Sequence, residues 1–255
     1  MDQLITLIPP DISPAFAIML IVLSFLTSMM TAAVGIGGGV VLLAVMATAV
    51  PMTVLVPVHG VIQFGSNAGR AIVQARHADR AIMFYIAAGG LLGAWIGGHL
   101  AVQLPDTLLK AGLGAFVLWS LWGKKPTYAR LSRPLLLLAG FVTSILTMFI
   151  GATGPFMGAL LAPMMSNRHV FVGTFAACMT FQHLIKVVVF GMLGFAFGPW
   201  IVLMISMIGT GFLGTLTGTM LLGRMPEAVF RKVFAVVMTV LAANLLLQGA
   251  GVELL

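Results

Sequence analysis

Apolar positions fall into runs of roughly 20 residues, the length that crosses a bilayer core of about 30 Å at 1.5 Å per residue. Glycine clusters, prolines and short charged stretches punctuate these runs. Residues 14–34 form the first, with Ser13 placed to cap it and Pro14 at its first helical position. Gly35-Ile36-Gly37-Gly38-Gly39 then breaks the pattern, because glycine is costly inside a helix and permissive for sharp turns. Residues 40–50 are apolar but too short to cross, which predicts a half-helix or re-entrant element ending at Pro51. Residues 54–75 span, 76–80 form a tight charged loop, and 81–102 span again. After the turn Leu104-Pro105-Asp106, a further helix fills 107–122.

A basic linker, 123–133, carries Lys124, Lys125, Arg130 and Arg133, and the plan then repeats. Residues 134–150 lead to a break at Gly151-Ala152-Thr153-Gly154-Pro155, a short segment to 165, and runs at 170–191, 200–222 and 230–248. The two versions align without a gap at an offset of 116 positions (186 − 70). Gly151 falls opposite Gly35, Gly154 opposite Gly38, His183 opposite Asn67 and Lys186 opposite Arg70. At the same offset Gly93 meets Gly209 and Gly98 meets Gly214. After a five-residue insertion, Leu104-Pro105-Asp106 meets Met225-Pro226-Glu227, and Lys110 meets Arg231. These landmarks and the matching segment lengths are the mark of an internal repeat.

Loop charge predicts orientation. The basic loops at 76–80, 123–133 and 223–232 are expected on the cytoplasmic side. The counterpart of the first of these, 192–199, has no charge and is expected outside. The same loop therefore lies on opposite sides in the two halves. The expected fold is an all-α integral membrane protein of two inverted-topology repeats, 14–122 and 134–249, each with about four full membrane helices plus one short or re-entrant helix. Inverted repeats with interrupted helices are the architecture of many secondary transporters. Trp119 and Trp122 near the inner boundary, and Trp200 near the outer, fit either interfacial anchoring or ordinary packing.

Composition agrees. The 255 residues are 60% hydrophobic and 7% charged, with a mean hydropathy of +1.14, whereas a soluble domain carries about 25% charged residues. The net charge of +7 reflects basic loops rather than a nucleic-acid surface. Cys178 is the single cysteine, which excludes a disulfide framework or a cysteine-based metal site and reads as packing. No Lys or Arg precedes Arg70, so 14–34 lacks a basic leader and is expected to remain as the first membrane helix.

Candidate chemistry concentrates on two cations. An Arg or Lys within a membrane helix costs about 2.5–3.5 kcal/mol on insertion scales, yet all six acidic residues, Asp2, Asp11, Asp79, Asp106, Glu227 and Glu253, lie in tails, loops or turns. Arg70 and Lys186 therefore either snorkel to an interface or await an anion that arrives as cargo. Polar residues share the Arg70 face at helical spacing: His59, Gln63, Ser66, Asn67 and Gln74. Thr180, Gln182 and His183 are their equivalents around Lys186. Such a stripe is either a wet face suited to an oxyanion or hydrogen-bonding glue between helices. Each glycine break precedes a short helix whose first N–H groups lack intrahelical partners, a setting that attracts anions. Gly37, Gly38 and Gly39 in the first break, and Thr153 and Gly154 in the second, are the candidate donors. No paired carboxylates, metal-ligand cluster or Ser/His/Asp grouping points to catalysis. His59, His99 and His183 are the intramembrane groups that titrate near neutral pH, able to relay a proton or sense the protonation of cargo.

Two halves that each open on a glycine-rich break after a membrane helix, with Leu104-Pro105 and Met225-Pro226 turns before a basic residue and a last helix, resemble the TauE/SafE sulfite-exporter family. The second break departs at Ala152-Thr153, where that family is richer in glycine. The resemblance implies a permease of the bacterial inner membrane for small sulfur-containing anions such as sulfite or sulfonates, with no cofactor. The expected partners are a small anionic substrate and the lipid bilayer, without nucleic acid; homo-oligomerisation stays open. The expected site comprises Gly37, Gly38, Gly39, Gln63, Asn67, Arg70, Thr153, Gly154, Gln182, His183 and Lys186, in an exporter working by alternating access. A passive anion channel and a non-transporting membrane subunit remain alternatives.

Overall fold

The computed structural model describes residues 9, 12–34, 37–124, 131–165, 167–221 and 227–252. Gly35 and Ile36 of the first break, Lys125 and Arg130 of the linker, and the Met225-Pro226 turn lie outside the described residues. Ten α-helices are described, and no strand occurs among the described residues. In chain order they are α1 (Pro14–Val34), α2 (Gly38–Met46), α3 (Met52–Val73), α4 (Arg80–Ala101), α5 (Asp106–Trp122), α6 (Arg133–Ile150), α7 (Gly154–Leu161), α8 (Arg168–Met192), α9 (Ile201–Leu221) and α10 (Glu227–Gly249).

Among the described residues five segments, Pro14–Ala32, Arg80–Ala101, Arg133–Ile150, His169–Met192 and Gly198–Gly218, are long and apolar enough to cross a membrane. Helix α3 is as long, at 22 residues, but carries the polar stripe. The outer helices present bare apolar side chains, Ile18 on α1, Phe84 on α4 and Ile205 on α9, as a surface that meets lipid does. The chain is an all-helical integral membrane protein.

Local chemistry sets the helix starts. Ser13 Oγ accepts from the Phe16 N–H (3.2 Å), capping α1. Asp79 caps α4 by accepting from Ala81 and Ile82 N–H (3.0 and 3.1 Å), while its own N–H donates to Thr174 Oγ1 on α8 (2.9 Å). Asp106, first residue of α5, accepts the Met52 N–H at the start of α3 (2.5 Å) and pairs with Lys110 (3.0 Å). Gly37 and Gly151 adopt φ of 117° and 87°, left-handed values that a Cβ would strain; Gly37 leads into α2 and Gly151 closes α6.

Two seams of close helix packing organise the rest. Helix α4 packs along α6 and α9 along α1, in both cases with small residues under the partner's backbone. A Cβ on Gly93 would stand 2.2 Å from the Phe141 carbonyl oxygen, and one on Gly214 would stand 2.1 Å from that of Phe25. A Cβ on Gly90 would lie 2.8 Å from Ser144 Oγ, as one on Gly211 would lie 2.9 Å from Ser28 Oγ. Gly97 lies on the Ile145 backbone as Gly218 lies on that of Met29. Gly89 lies on the Leu137 carbonyl, and at the matching place Thr210 Oγ1 donates to the Ile21 carbonyl (2.9 Å).

These matched contacts correct one sequence alignment. Partners on α1 and α6 differ by 116 positions (141 − 25), but those on α4 and α9 differ by 121 (214 − 93). Gly93 therefore corresponds to Gly214, not to Gly209, and the five-residue insertion falls before α9, in the loop after α8. The register of helix contacts, rather than residue identity, places it.

Helices α3 and α8 run antiparallel, with His59 beside His183 at one end and Gly173 against the Gln74 carbonyl at the other. Helices α5 and α10 are antiparallel too, with Gly114 on the Ala242 carbonyl and Gly249 on that of Thr107. One buried apolar cluster holds Leu42, Leu43 and Met46 of α2; a second holds Met157, Leu160 and Leu161 of α7. Each short helix is thus anchored in its own core, with its N-terminus turned to the middle. Trp200 is 3% exposed and Trp122 68% exposed, so the former is packing rather than an interfacial anchor.

Candidate anion site

Between α3 and α8, where the N-termini of α2 and α7 approach, lies a small cavity of ≈ 40 Å³. A single water needs roughly 10–15 Å³ on this measure, so the space suits a solute of a few heavy atoms. Helix α3 contributes His59, Gln63, Asn67 and Arg70, and α8 contributes Phe175, Met179 and His183. Gly37, Gly39 and Val40 line it from the first break, Ala152, Gly154 and Pro155 from the second, and Thr31 from α1.

Arg70 is held from its own helix. Its Nη2 donates to Asn67 Oδ1 (3.1 Å) and its Nε to the Ser66 carbonyl (3.4 Å). Asn67 in turn donates to the Gln63 carbonyl (2.8 Å) and reaches Gln63 Oε1 at 3.5 Å. Turns of one helix thus orient a guanidinium toward the cavity, leaving donors over. Among the described residues no carboxylate pairs with Arg70 or Lys186; the ion pair there joins Lys110 to Asp106. The positive ends of two short helices add to the same field.

Several expected residues face elsewhere. The Gly38 N–H donates to Thr31 Oγ1 (3.1 Å), and a Cβ there would lie 2.0 Å from the Thr27 carbonyl oxygen, so Gly38 serves the packing of α2 on α1. Thr153 Oγ1 donates to Gln182 Oε1 (3.1 Å), whose Nε2 donates to Ser144 Oγ (3.3 Å), a buried chain running away from the cavity. Lys186 is 0% exposed and does not snorkel. Its Nζ donates to the Gly151 carbonyl (2.6 Å) at the C-terminus of α6, where the helix dipole favours a cation, and its stem lies against Gly60. Gly37, Gly39, Gln63, Asn67, Arg70, Gly154 and His183 do come together around the cavity.

Sequence reasoning left His59, Thr31, Phe175 and Met179 out of the site. Three were signalled: His59 stands on the Arg70 face, and the offset that pairs Asn67 with His183 also pairs His59 with Phe175 and Gln63 with Met179. His59 Nε2 lies 2.9 Å from the Gly39 carbonyl oxygen, and its ring meets His183 edge-on with centroids 6.2 Å apart. The Nδ1 atoms of both rings are buried without a hydrogen-bond partner. His99 lies outside this cluster, bonded to the Trp95 carbonyl (2.9 Å).

A larger cavity of ≈ 280 Å³ lies between α4, α6 and α8, walled by Met83, Phe84, Ile86, Phe181 and Ile185. Its lining is mainly apolar; Gln182 and Ser144 bond to each other, and Arg80, exposed at the start of α4, is the charged group at its edge. It lacks the convergent donors of the smaller one.

Comparison with known proteins bears on this arrangement. No curated protein and no solved structure matches the chain significantly. The family model described as sulfite exporter TauE/SafE matches residues 20–245, nearly the whole chain and every part of the cavity. The chain belongs to the TauE/SafE sulfite-exporter family of membrane transport proteins.

Proposed function

We propose that this chain carries small sulfur oxyanions, sulfite or an organosulfonate, out of the cell across the bacterial inner membrane by alternating access. One observation carries the reading: Arg70, with no carboxylate partner among the described residues, faces a cavity bounded by the N-termini of two short helices. A guanidinium and a pair of positive helix ends fit an oxyanion. The size of the cavity suits an anion of a few heavy atoms.

The alternating-access part rests on the internal relation of the halves. Helices α3 and α8 are equivalent at the 116 offset and run antiparallel, and the α4–α6 seam recurs at α9–α1. This supports two repeats of opposite topology, 14–122 and 134–249, rocking about a shared central site. Asn67, Gln63 and His183 would orient the anion and Arg70 would supply the charge. Reconstitution into proteoliposomes tests the reading. Saturable sulfite or sulfonate flux that supports counterflow is expected. Conductance without saturation would indicate a passive channel, and absence of any flux a non-transporting subunit.

A further inference from the structure

The proposed site holds a proton acceptor that no protein group serves. His59 is fully buried, and its Nε2 points at the Gly39 carbonyl oxygen at 2.9 Å. A carbonyl only accepts, so Nε2 carries the hydrogen and Nδ1 of the neutral ring is a bare lone pair. That Nδ1 is buried with no partner. The Gly151 carbonyl lies near the ring but is itself an acceptor, already receiving Lys186 Nζ and Thr147 Oγ1. A second proton on the ring would place a third positive charge beside Arg70 and Lys186, with no carboxylate there among the described residues to offset it.

The charged surroundings of His59 are few. Helix α8 brings His183 and Lys186, and α3 itself brings Arg70. Helices α2 and α9 bring no charged side chain among the described residues. Asp106 and Lys110 of α5 neutralise each other at the Met52 end of α3, and Arg76 and His77 follow its opposite end. His59 lines the cavity, and its Nδ1 has no donor from the protein. A buried acceptor left unserved costs free energy that a ligand hydroxyl recovers.

We propose that the site selects a monoprotonated oxyanion, its charged oxygens toward Arg70 and its O–H donating to His59 Nδ1. For sulfite this is hydrogen sulfite rather than the dianion, so each turnover would carry one proton with the anion. The inference rests on the anion-site reading above and adds a specificity determinant to it. It also makes a chemical distinction that charge alone does not. Methanesulfinate has the same net charge and nearly the same shape as hydrogen sulfite, with a methyl group in place of the hydroxyl.

The test is calorimetric titration of the purified full-length protein in detergent with both anions at a pH where sulfite is mostly monoprotonated. Hydrogen sulfite is expected to bind about tenfold or more tightly than methanesulfinate, the worth of a hydrogen bond to an otherwise unserved buried acceptor. In His59→Phe that preference should collapse toward equality; phenylalanine already fills the equivalent place at Phe175 in the same cavity. Equal wild-type affinities overturn the inference and leave the anion site standing. A preference that survives in His59→Phe overturns the role of His59. If neither anion binds, the anion-site reading falls with it. Should His59→Phe not fold, the wild type decides through pH. Total-sulfite affinity is expected to fall by about tenfold per pH unit above sulfite's second ionisation while methanesulfinate affinity stays flat; parallel pH profiles overturn the inference.

Discussion

Lys186 donates its ammonium to the Gly151 carbonyl at 2.6 Å, whereas Arg70, 116 positions earlier, turns its guanidinium toward the cavity and holds Asn67. Two cations at aligned positions of the sequence thus occupy different environments. If the halves exchange conformations when the transporter changes facing, Lys186 comes to the cavity in the opposite state and Arg70 withdraws. The cost of keeping one buried and one half-buried cation without carboxylates then has a functional cause.

Replacing Lys186 with methionine tests that cause. Methionine nearly keeps the volume, one atom shorter, but removes a buried charge whose carbonyl partner offsets little of its desolvation. Thermal unfolding in detergent is expected at an equal or higher temperature than wild type, while proteoliposome flux falls at least about tenfold. A destabilised variant with normal flux would show Lys186 to be structural.

The glycine seams make a stability prediction. Gly93→Ala and Gly214→Ala each drive a methyl group to about 2 Å from a backbone carbonyl oxygen, and such overpacking costs about 1–3 kcal/mol. Both should lower the unfolding midpoint by similar amounts, as matched places in matched seams. Gly112→Ala, on α5 with nothing within 4 Å, should leave it unchanged or raise it, because alanine favours helix by roughly 0.5–1 kcal/mol.

Thr153 separates packing from transport. Its hydroxyl serves Gln182 rather than the cavity, so Thr153→Val leaves a buried amide oxygen unserved and costs about 1–3 kcal/mol of stability. Flux per folded molecule is expected to stay near wild type. A selective loss of flux in a fully stable Thr153→Val protein would return Thr153 to the site.

Much of this was legible in the chain because apolar membrane helices make polar positions conspicuous. Gln63, Asn67 and Arg70 stand out on α3 by helical spacing alone, and they do line one cavity. Breaks at Gly37 and Gly151 were legible for the same reason, since a bilayer-length pattern stops at each. Which polar groups satisfy one another was not legible. Thr153 and Gln182 read as ligands, yet they bond together, a fact that depends on where α7 meets α8. Nor could identity place the insertion. Gly93 and Gly98 are five apart, as are Gly209 and Gly214, so a five-residue shift lands glycine on glycine either way. Only the backbone contacts of Phe25 and Phe141 decide the register.

The most direct test is sulfite flux in proteoliposomes for wild type, Arg70→Lys and Arg70→Gln at matched incorporation. A charge-assisted hydrogen bond is worth about 1.5–3 kcal/mol, so Arg70→Gln is predicted to lose roughly tenfold to a hundredfold and Arg70→Lys to retain part of the activity. Wild-type flux in Arg70→Gln would contradict the account.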